Sequence, residues 1–164
     1  MTRPREIETI CGEKMTEKEL MIIFGTETGN AEMVAEDAQR MAANYGLNAT
    51  IHDMDDLSVD DFSGVTRLLV SCSTWGDGDQ PMNAEDLYES MEDADDTAMD
   101  GVNFAVLALG DTAYEMFCES GKQWDAVLEE KGGNRVMERI DLDTDFEDFT
   151  DEWLESALEA FQNV

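Results

Sequence analysis

LMIIFGTETGNAE, residues 20–32, is an apolar run that ends in a short polar loop and passes directly into a helical pattern. The run Leu20–Phe24 is uniformly apolar, which is typical of a strand buried on both faces of a sheet. The loop Gly25–Asn30 follows it, and apolar residues with helical spacing begin at Ala31. This strand, loop and helix form the first unit of an alternating α/β fold.

The rest of the chain repeats this alternation. Four further strands are predicted, at Ala49–His52, Leu68–Cys72, Val102–Leu109 and Arg135–Ile140. Amphipathic helices are predicted from Ala31, Ala84, Trp124 and Phe146, with at most two helical turns at Leu57–Phe62. The order predicts a doubly wound parallel sheet with helices on both faces, whose ligands bind beyond the carboxyl ends of the strands. Residues 20–164 are expected to form one domain, and residues 1–19 an N-terminal extension.

The chain is strongly acidic. Its 10 basic and 40 acidic residues give a formal charge of 10 − 40 = −30. This charge excludes binding to nucleic acid and to anionic membranes, and it favours partners with basic surfaces. No Lys or Arg occurs between Arg67 and Lys122. Two explanations stay open, a general adaptation to salt or solubility and an acidic surface for docking.

Cysteine usage and hydropathy indicate the compartment. Cys11, Cys72 and Cys118 are far apart and odd in number, which is not typical of a disulfide framework or a metal site. No segment is apolar for long enough to span a membrane, and residues 1–19 lack the apolar core of a signal peptide. A cytoplasmic location without membrane attachment is therefore expected.

The first loop, GTETGN at residues 25–30, has the character of an anion site. Free amide groups and the positive helix end attract phosphate there, and Thr26, Thr28 and Asn30 add neutral donors. The loop lacks the lysine of a triphosphate-binding loop, and its glycine spacing does not match a dinucleotide fingerprint. A single phosphate on neutral donors is one interpretation, and a plain capped turn is the other.

Two further loops follow the third and fourth strands. In STWGDGDQP, residues 73–81, two glycines bracket Asp77, and Trp75 either covers the core or stacks on a planar ligand. In GDTAYEMFCESG, residues 110–121, Tyr114 and Phe117 are aromatic, while Cys118 is expected to be a small buried residue. The three loops together favour a flat aromatic ring with one phosphate, and FMN fits this description better than a nucleoside triphosphate.

The chain resembles the flavodoxin-like FMN-binding family. The resemblance rests on GTETGNAE (25–32), STWGDGDQP (73–81), LALGDTAYEMFCESGKQWD (107–125) and RIDLDTDFED (139–148), and it covers residues 20–162. It is strongest toward the FMN domains of diflavin reductases, including the sulfite reductase flavoprotein. It implies a five-stranded parallel sheet in the order 2-1-3-4-5.

The resemblance also implies a set of FMN-binding residues and no catalytic or metal site. The phosphate loop would comprise Thr26, Glu27, Thr28, Gly29, Asn30 and Ala31, with the Glu27 carboxylate pointing outward. The ring would be lined by Ser73, Thr74, Trp75, Gly76, Asp77 and Gly78 on one side. The other side would be formed by Leu109, Gly110, Asp111, Tyr114, Phe117 and Cys118, with Asp143 as a further contact. Trp75 stands where relatives have Tyr or Gln, so packing on that ring face is expected to differ.

The function implied by the resemblance is that of a stand-alone flavodoxin, an electron carrier and not an enzyme. It would pass single electrons through the semiquinone and hydroquinone states of FMN, from a flavodoxin or ferredoxin reductase-type donor to an acceptor enzyme. We expect a monomer whose partners are redox proteins with basic surfaces.

The rival interpretations are an FMN-dependent quinone-type reductase, a scaffold that has lost its flavin, and a receiver-like signalling module. The last is disfavoured because GTETG contains no Asp pair and no Lys follows the fifth predicted strand.

Overall fold

A parallel sheet lies at the centre of the computed structural model, which describes residues 18–164. Its strands are β1 (Lys18–Gly25), β2 (Leu47–Asp53), β3 (Arg67–Ser73), β4 (Asn103–Leu109), β5 (Asn134–Arg135) and β6 (Ile140–Leu142). They lie in the order β2-β1-β3-β4-β5, and every pairing is parallel. The predicted doubly wound fold and its strand order are confirmed.

The fifth position of the sheet differs from the single strand predicted at Arg135–Ile140. β5 pairs with the start of β4 and β6 with its end, so two short strands share this position. At this interruption two guanidinium groups, from Arg135 at the end of β5 and Arg139 just before β6, meet one buried carboxylate: Arg135 Nε and Arg139 Nη1 each lie 2.8 Å from an oxygen of Asp125. We attribute the interruption of the strand to this ion pair network.

Helices cover both faces, as predicted. They are α1 (Asn30–Ala42), α2 (Glu85–Asp93), α3 (Glu119–Glu130) and α4 (Thr150–Gln162). Short 3₁₀ helices lie at Ala43–Tyr45, Met54–Asp56, Val59–Phe62 and Phe146–Asp148. The last one replaces the predicted first turn of α4. This 3₁₀ helix ends at Asp148, and the next residue, Phe149, is exposed.

Alternation along the strands separates two apolar cores. Ile22 and Phe24 of β1 pack in the core beneath α1 and α4, and Ile23 packs in the core beneath α2 and α3. Both faces of the central strands are therefore buried, which explains their uninterrupted apolar sequences. Helix α3 packs closely against β4 at Gly121. A Cβ placed on Gly121 would lie only 2.2 Å from the Ala108 Cβ.

Residues 1–17 lie outside the described residues, and the predicted extension at residues 1–19 stays a prediction there. Lys18 and Glu19 are the first residues of β1. Among residues 18–164, no helix combines the length and apolar character that a crossing of the bilayer needs.

Candidate functional site

The loop between β1 and α1 forms one wall of a cleft at the carboxyl edge of the sheet. Thr28 and Asn30 line the cleft, and Gly29 takes a left-handed conformation with φ 95°. The Gly29 amide donates to Thr26 Oγ1 over 2.9 Å, and the Thr26 amide donates to Asn83 Oδ1 over 2.9 Å. The loop is thus held from behind, so the amide groups at the start of α1 remain available for an anion.

Two other residues of the predicted phosphate set lie differently. The Glu27 carboxylate accepts a hydrogen bond from the Met82 amide, and Glu27 lines a neighbouring acidic depression instead of the cleft. This position agrees with an outward-pointing carboxylate. The Ala31 side chain is buried and its carbonyl accepts from Ser71 Oγ over 2.9 Å. Its backbone amide is therefore the group that Ala31 can offer to a ligand.

The loop after β3 is a tight hairpin. Trp75 and Asp79 exchange two backbone hydrogen bonds of 2.8 Å, and Gly76 and Gly78 between them have φ values of 55° and 117°. These positive φ values favour glycine, since other residues are strained there. Asp77 stands exposed at the tip. We refer to Gly76–Gly78 as the hairpin tip.

Both ends of this hairpin are anchored to α3. The Ser120 amide donates to Thr74 Oγ1 over 3.1 Å. Gln80 accepts from Trp124 Nε1 over 3.0 Å and donates to Gln123 Oε1 over 3.1 Å. We therefore expect conformational change in this loop to be concentrated at its tip. Gln80 was not singled out from the sequence, where it is one polar residue in a polar turn.

The loop after β4 closes the opposite side. The Gly110 amide donates to the Leu142 carbonyl over 2.9 Å, and a Cβ on Gly110 would lie 2.8 Å from the Cys118 amide nitrogen. Cys118 is buried, as expected, and burial raises the pKa of its thiol to about 12. Its thiol is therefore protonated at neutral pH and acts as a packing group beneath the cleft.

The cleft is lined by residues from all three predicted loops. Its lining consists of Thr28, Asn30, Ser73, Thr74, Gly76, Leu109, Gly110, Asp111, Tyr114 and Met116. Met116 was not among the residues predicted from the sequence, where it is one apolar residue between the aromatic Tyr114 and Phe117. Phe117 lines a neighbouring groove, and Trp75, Asp77 and Gly78 are not among the residues that line the cleft.

Two aromatic side chains stand exposed beside these loops. Trp75 is 53% exposed and Tyr114 is 48% exposed, although such large rings are normally far more buried. Trp75 is therefore not a lid over the core, which was one of its two interpretations. Exposed rings next to neutral hydrogen-bond donors suit a flat ligand with a small anionic group.

Asp143 is bound to the third loop. The Thr112 hydroxyl donates to Asp143 Oδ2 over 2.6 Å, and the Thr144 amide donates to Oδ1 over 2.7 Å. These hydrogen bonds, with that of Thr112 first, lower the pKa of the Asp143 carboxyl. The arrangement fixes the loop against β6, and Asp143 is not among the cleft-lining residues.

Sequence comparison identifies the architecture. Residues 22–154 match the flavodoxin family model. This chain belongs to the flavodoxin family. A flavodoxin of Streptococcus pneumonia TIGR4 superposes with a TM-score of 0.79 at 27% identity, covering 88% of this chain and 98% of that one. A cysteine-to-serine mutant of Pseudomonas aeruginosa flavodoxin superposes with a TM-score of 0.75 at 28% identity, covering 88% and 99%.

Curated relatives of this flavodoxin-family chain include much larger proteins. The sulfite reductase [NADPH] flavoprotein alpha-component of Bacillus subtilis is 39% identical over 147 residues, which is 90% of this chain and 24% of that protein. The corresponding protein of Aliivibrio fischeri is 37% identical over 145 residues, or 88% and 24%. The chain thus spans about a quarter of the length of these relatives. Both sets of comparisons confirm the predicted resemblance.

FMN is the cofactor that membership of the flavodoxin family implies, and the cleft fits it. The amide groups before α1 suit one phosphate without a basic side chain, and none of the lining residues is Lys or Arg. The space beside Gly29 is open, since a Cβ placed on Gly29 would meet nothing within 4 Å. Trp75 and Tyr114 supply two exposed rings for a planar group.

The hydrogen bond from the Thr112 hydroxyl is the largest cause that lowers the pKa of Asp143, and Thr112→Val tests this. We expect the pKa of Asp143 to rise toward its ordinary value in the variant, measured by carboxyl carbon NMR against pH. Because the folded pKa is lowered, any stability from this carboxylate is present above the unfolded pKa and lost as pH falls through the folded pKa.

Thr144→Val is the matched control for this experiment. Thr144 contacts Asp143 only through its backbone amide, so the pKa of Asp143 should stay low in this variant. An Asp143 pKa that is the same in Thr112→Val as in the wild type would contradict the assignment.

Proposed function

We propose that this flavodoxin-family protein is an FMN-dependent carrier of single electrons between a separate reductase and an acceptor enzyme. The observation that carries the proposal is the exposure of Trp75 and Tyr114 on two loops that share a cleft with the amide-rich start of α1. Bound FMN would supply reversible one-electron chemistry, and the protein would supply binding and electrostatics.

The phosphate would be held at the loop that precedes α1. The hydroxyl of Thr28 and the side-chain amide of Asn30 line the cleft beside the free backbone N–H groups. Thr26 contributes indirectly, since its hydroxyl accepts from the Gly29 amide and shapes the loop. A phosphate bound this way meets the positive end of the helix without any lysine.

The flavin ring would lie between the second and third loops. Ser73, Thr74 and Gly76 line the cleft from one loop, and Leu109, Gly110 and Asp111 from the other. Trp75 and Tyr114 would pack against the ring. Packing on both sides would exclude water from the ring faces while one edge stays accessible for electron transfer.

The hairpin tip would adjust the redox properties. Gly76 and Gly78 permit a peptide plane in the tip to turn, which exchanges a carbonyl for an amide toward the cleft. Such a turn would change the hydrogen bonding of the flavin N5 and thereby separate the two one-electron potentials. The anchors at Thr74 and Gln80 would keep the remainder of the loop fixed.

Negative charge around the cleft would lower the potential for the second electron. Asp111 lines the cleft, Asp77 and Asp79 are exposed on the neighbouring hairpin, and no basic side chain lines the cleft. Adding negative charge to a reduced flavin in this field costs free energy. The carrier would therefore exchange electrons through whichever of its two one-electron couples has the lower potential.

Stepwise reduction of the purified protein, followed by its visible spectrum, tests the proposal. We expect one FMN per chain and two resolved one-electron steps, with the second at a markedly lower potential than free FMN shows. A protein without flavin would support the scaffold alternative. A single two-electron wave would contradict the role as a single-electron carrier.

Partners would be basic redox proteins, including a reductase that resembles the remainder of the sulfite reductase flavoprotein. Charge attraction speeds the encounter of an acidic carrier with such a partner. We expect the rate of electron transfer to a basic acceptor to fall as NaCl rises from about 0.01 to 0.5 M, because the Debye length shrinks from about 30 Å to a few ångströms. A rate that does not fall would contradict electrostatic docking.

A further inference from the structure

A second concave surface lies next to the cleft. It is an apolar groove between β6, the start of α4 and the loop after β4. Its apolar lining consists of Phe117, Met137, Ile140, Leu142, Phe149 and Trp153. Phe149 is 47% exposed and stands between the short 3₁₀ helix and α4. We call this surface the Phe149 groove.

Exposure of Phe149 has a cost that a contact would remove. Burying the exposed part of a phenylalanine side chain is favourable relative to leaving it in water. The groove already has a floor, because Trp153 is buried and donates from Nε1 to the Glu138 carbonyl over 3.0 Å. A rigid apolar floor with one exposed aromatic wall is a typical pocket for an inserted side chain.

The rim of the groove is negatively charged. Asp141, Asp143, Asp145 and Glu152 belong to its lining. Among bases near it in the described chain, Arg139 is already paired with Asp125 and Asp141. The Lys122 ammonium lies 5.9 Å from the centre of the Phe117 ring. The rim therefore remains acidic, and its charge complements a basic surface around an apolar centre.

The Phe149 groove adjoins the cleft. The consecutive residues Met116 and Phe117 line the cleft and the groove respectively. The hydrogen bonds from Thr112 to Asp143 and from Gly110 to Leu142 join the loop that closes the cleft to the strand that edges the groove. A protein seated in the groove would lie directly beside the cleft.

We propose that the Phe149 groove is the docking site for a redox protein that inserts one large apolar side chain from a Lys- and Arg-rich surface. The proposal rests on the proposed function, because it places the electron partner beside the FMN site. The apolar insertion gives the complex its register, and the acidic rim raises the association rate.

A second exposed apolar residue provides a matched control. Met82 is 74% exposed and lies in an acidic depression with Glu27, Glu32, Glu85 and Asp86 among its lining. In that depression Phe24 and Met82 are the apolar members of the lining. Met82 is thus exposed in an acidic setting without an apolar groove. Comparing it with Phe149 therefore distinguishes the effect of the apolar groove from the effect of negative charge.

The test uses the FMN-loaded full chain and two synthetic peptides, each with six lysines around a central Phe or a central Ala. Binding is followed by amide NMR shifts and by the dissociation constant at low salt. We expect the Phe peptide to bind at least about fivefold more tightly than the Ala peptide. The shifts should be concentrated at Phe117, Phe149 and Ser156, which all line the groove.

Variants then locate the contact. Phe149→Ala should remove the preference for the Phe peptide, whereas Met82→Ala should keep it. Glu152→Gln, at an exposed rim position, should weaken both peptides equally and reduce the salt dependence. If Phe149→Ala unfolds α4, Ser156→Tyr blocks the groove from an exposed position and should also remove the preference.

Equal binding of the two peptides to the wild type, or the same loss in Met82→Ala as in Phe149→Ala, would overturn the proposal. FMN content is measured in each sample from the visible spectrum. Absence of FMN from the wild type would contradict the proposed function alone, because the peptide preference reports on the groove independently.

Discussion

The double variant Trp75→Ala/Tyr114→Ala should bind FMN about 100- to 1,000-fold more weakly than the wild type. Stacking of one aromatic side chain on a heteroaromatic ring contributes about 1–3 kcal/mol, and a mid-range value of about 1.5–2 kcal/mol for each contact gives a loss of about 3–4 kcal/mol for the two. Each single variant should lose about 10- to 30-fold. Both side chains are about half exposed, so folding stability should change little.

Fluorescence quenching during titration of the flavin-free protein with FMN measures these constants. Met33→Ala serves as a control, because Met33 is exposed on α1 and belongs to none of the three loops that surround the cleft. A double variant that keeps the wild-type affinity would exclude Trp75 and Tyr114 from the FMN site. Equal weakening in Met33→Ala would indicate a general loss of structure instead.

Asp125→Ala should lower the free energy of unfolding by about 2–4 kcal/mol. The Asp125 side chain is only 8% exposed, and both of its oxygens accept from guanidinium groups at 2.8 Å. Removing it leaves Arg135 and Arg139 without this partner, next to a cavity. The expected loss stays below the extreme for a fully buried pair, because both arginines are partly exposed and water can reach them.

Urea denaturation of the flavin-free protein is the measurement, since bound FMN would add its own stabilisation. Glu129→Ala is the matched control: Glu129 also pairs with Arg135, over 3.1 Å, but it is mostly exposed and should contribute under about 1 kcal/mol. Equal effects of the two substitutions would contradict the assignment of Asp125 as the centre of the network.

The sequence predicted the central strands and the edge at which the loops meet. The apolar runs of β1, β3 and β4 are long because both faces of these strands are buried. Such runs can be recognised in the sequence without knowledge of distant contacts. The positions of the three loops follow from this, since the carboxyl ends of parallel strands share one edge. The FMN-contacting roles of the individual residues stay predictions.

The parts that the sequence did not predict depend on contacts between distant residues. We attribute the interruption between β5 and β6 to Asp125, which lies in α3. Nothing in the sequence around Asp125 indicates that it pairs with two arginines. Phe149 fits the apolar spacing of α4 yet stands in the solvent, because the chain reaches α4 through a 3₁₀ turn. Gln80 acts through the Trp124 indole, 44 residues away in the chain.

The two anchors of the hairpin have a consequence for the speed of electron transfer. With Thr74 and Gln80 both hydrogen-bonded to α3, we expect the structural response to a change in flavin charge to be concentrated at Gly76, Asp77 and Gly78. A small nuclear displacement means a small reorganisation energy. A carrier built this way could exchange electrons rapidly even when donor and acceptor differ little in potential, and the rigidity of α3 would set that rate.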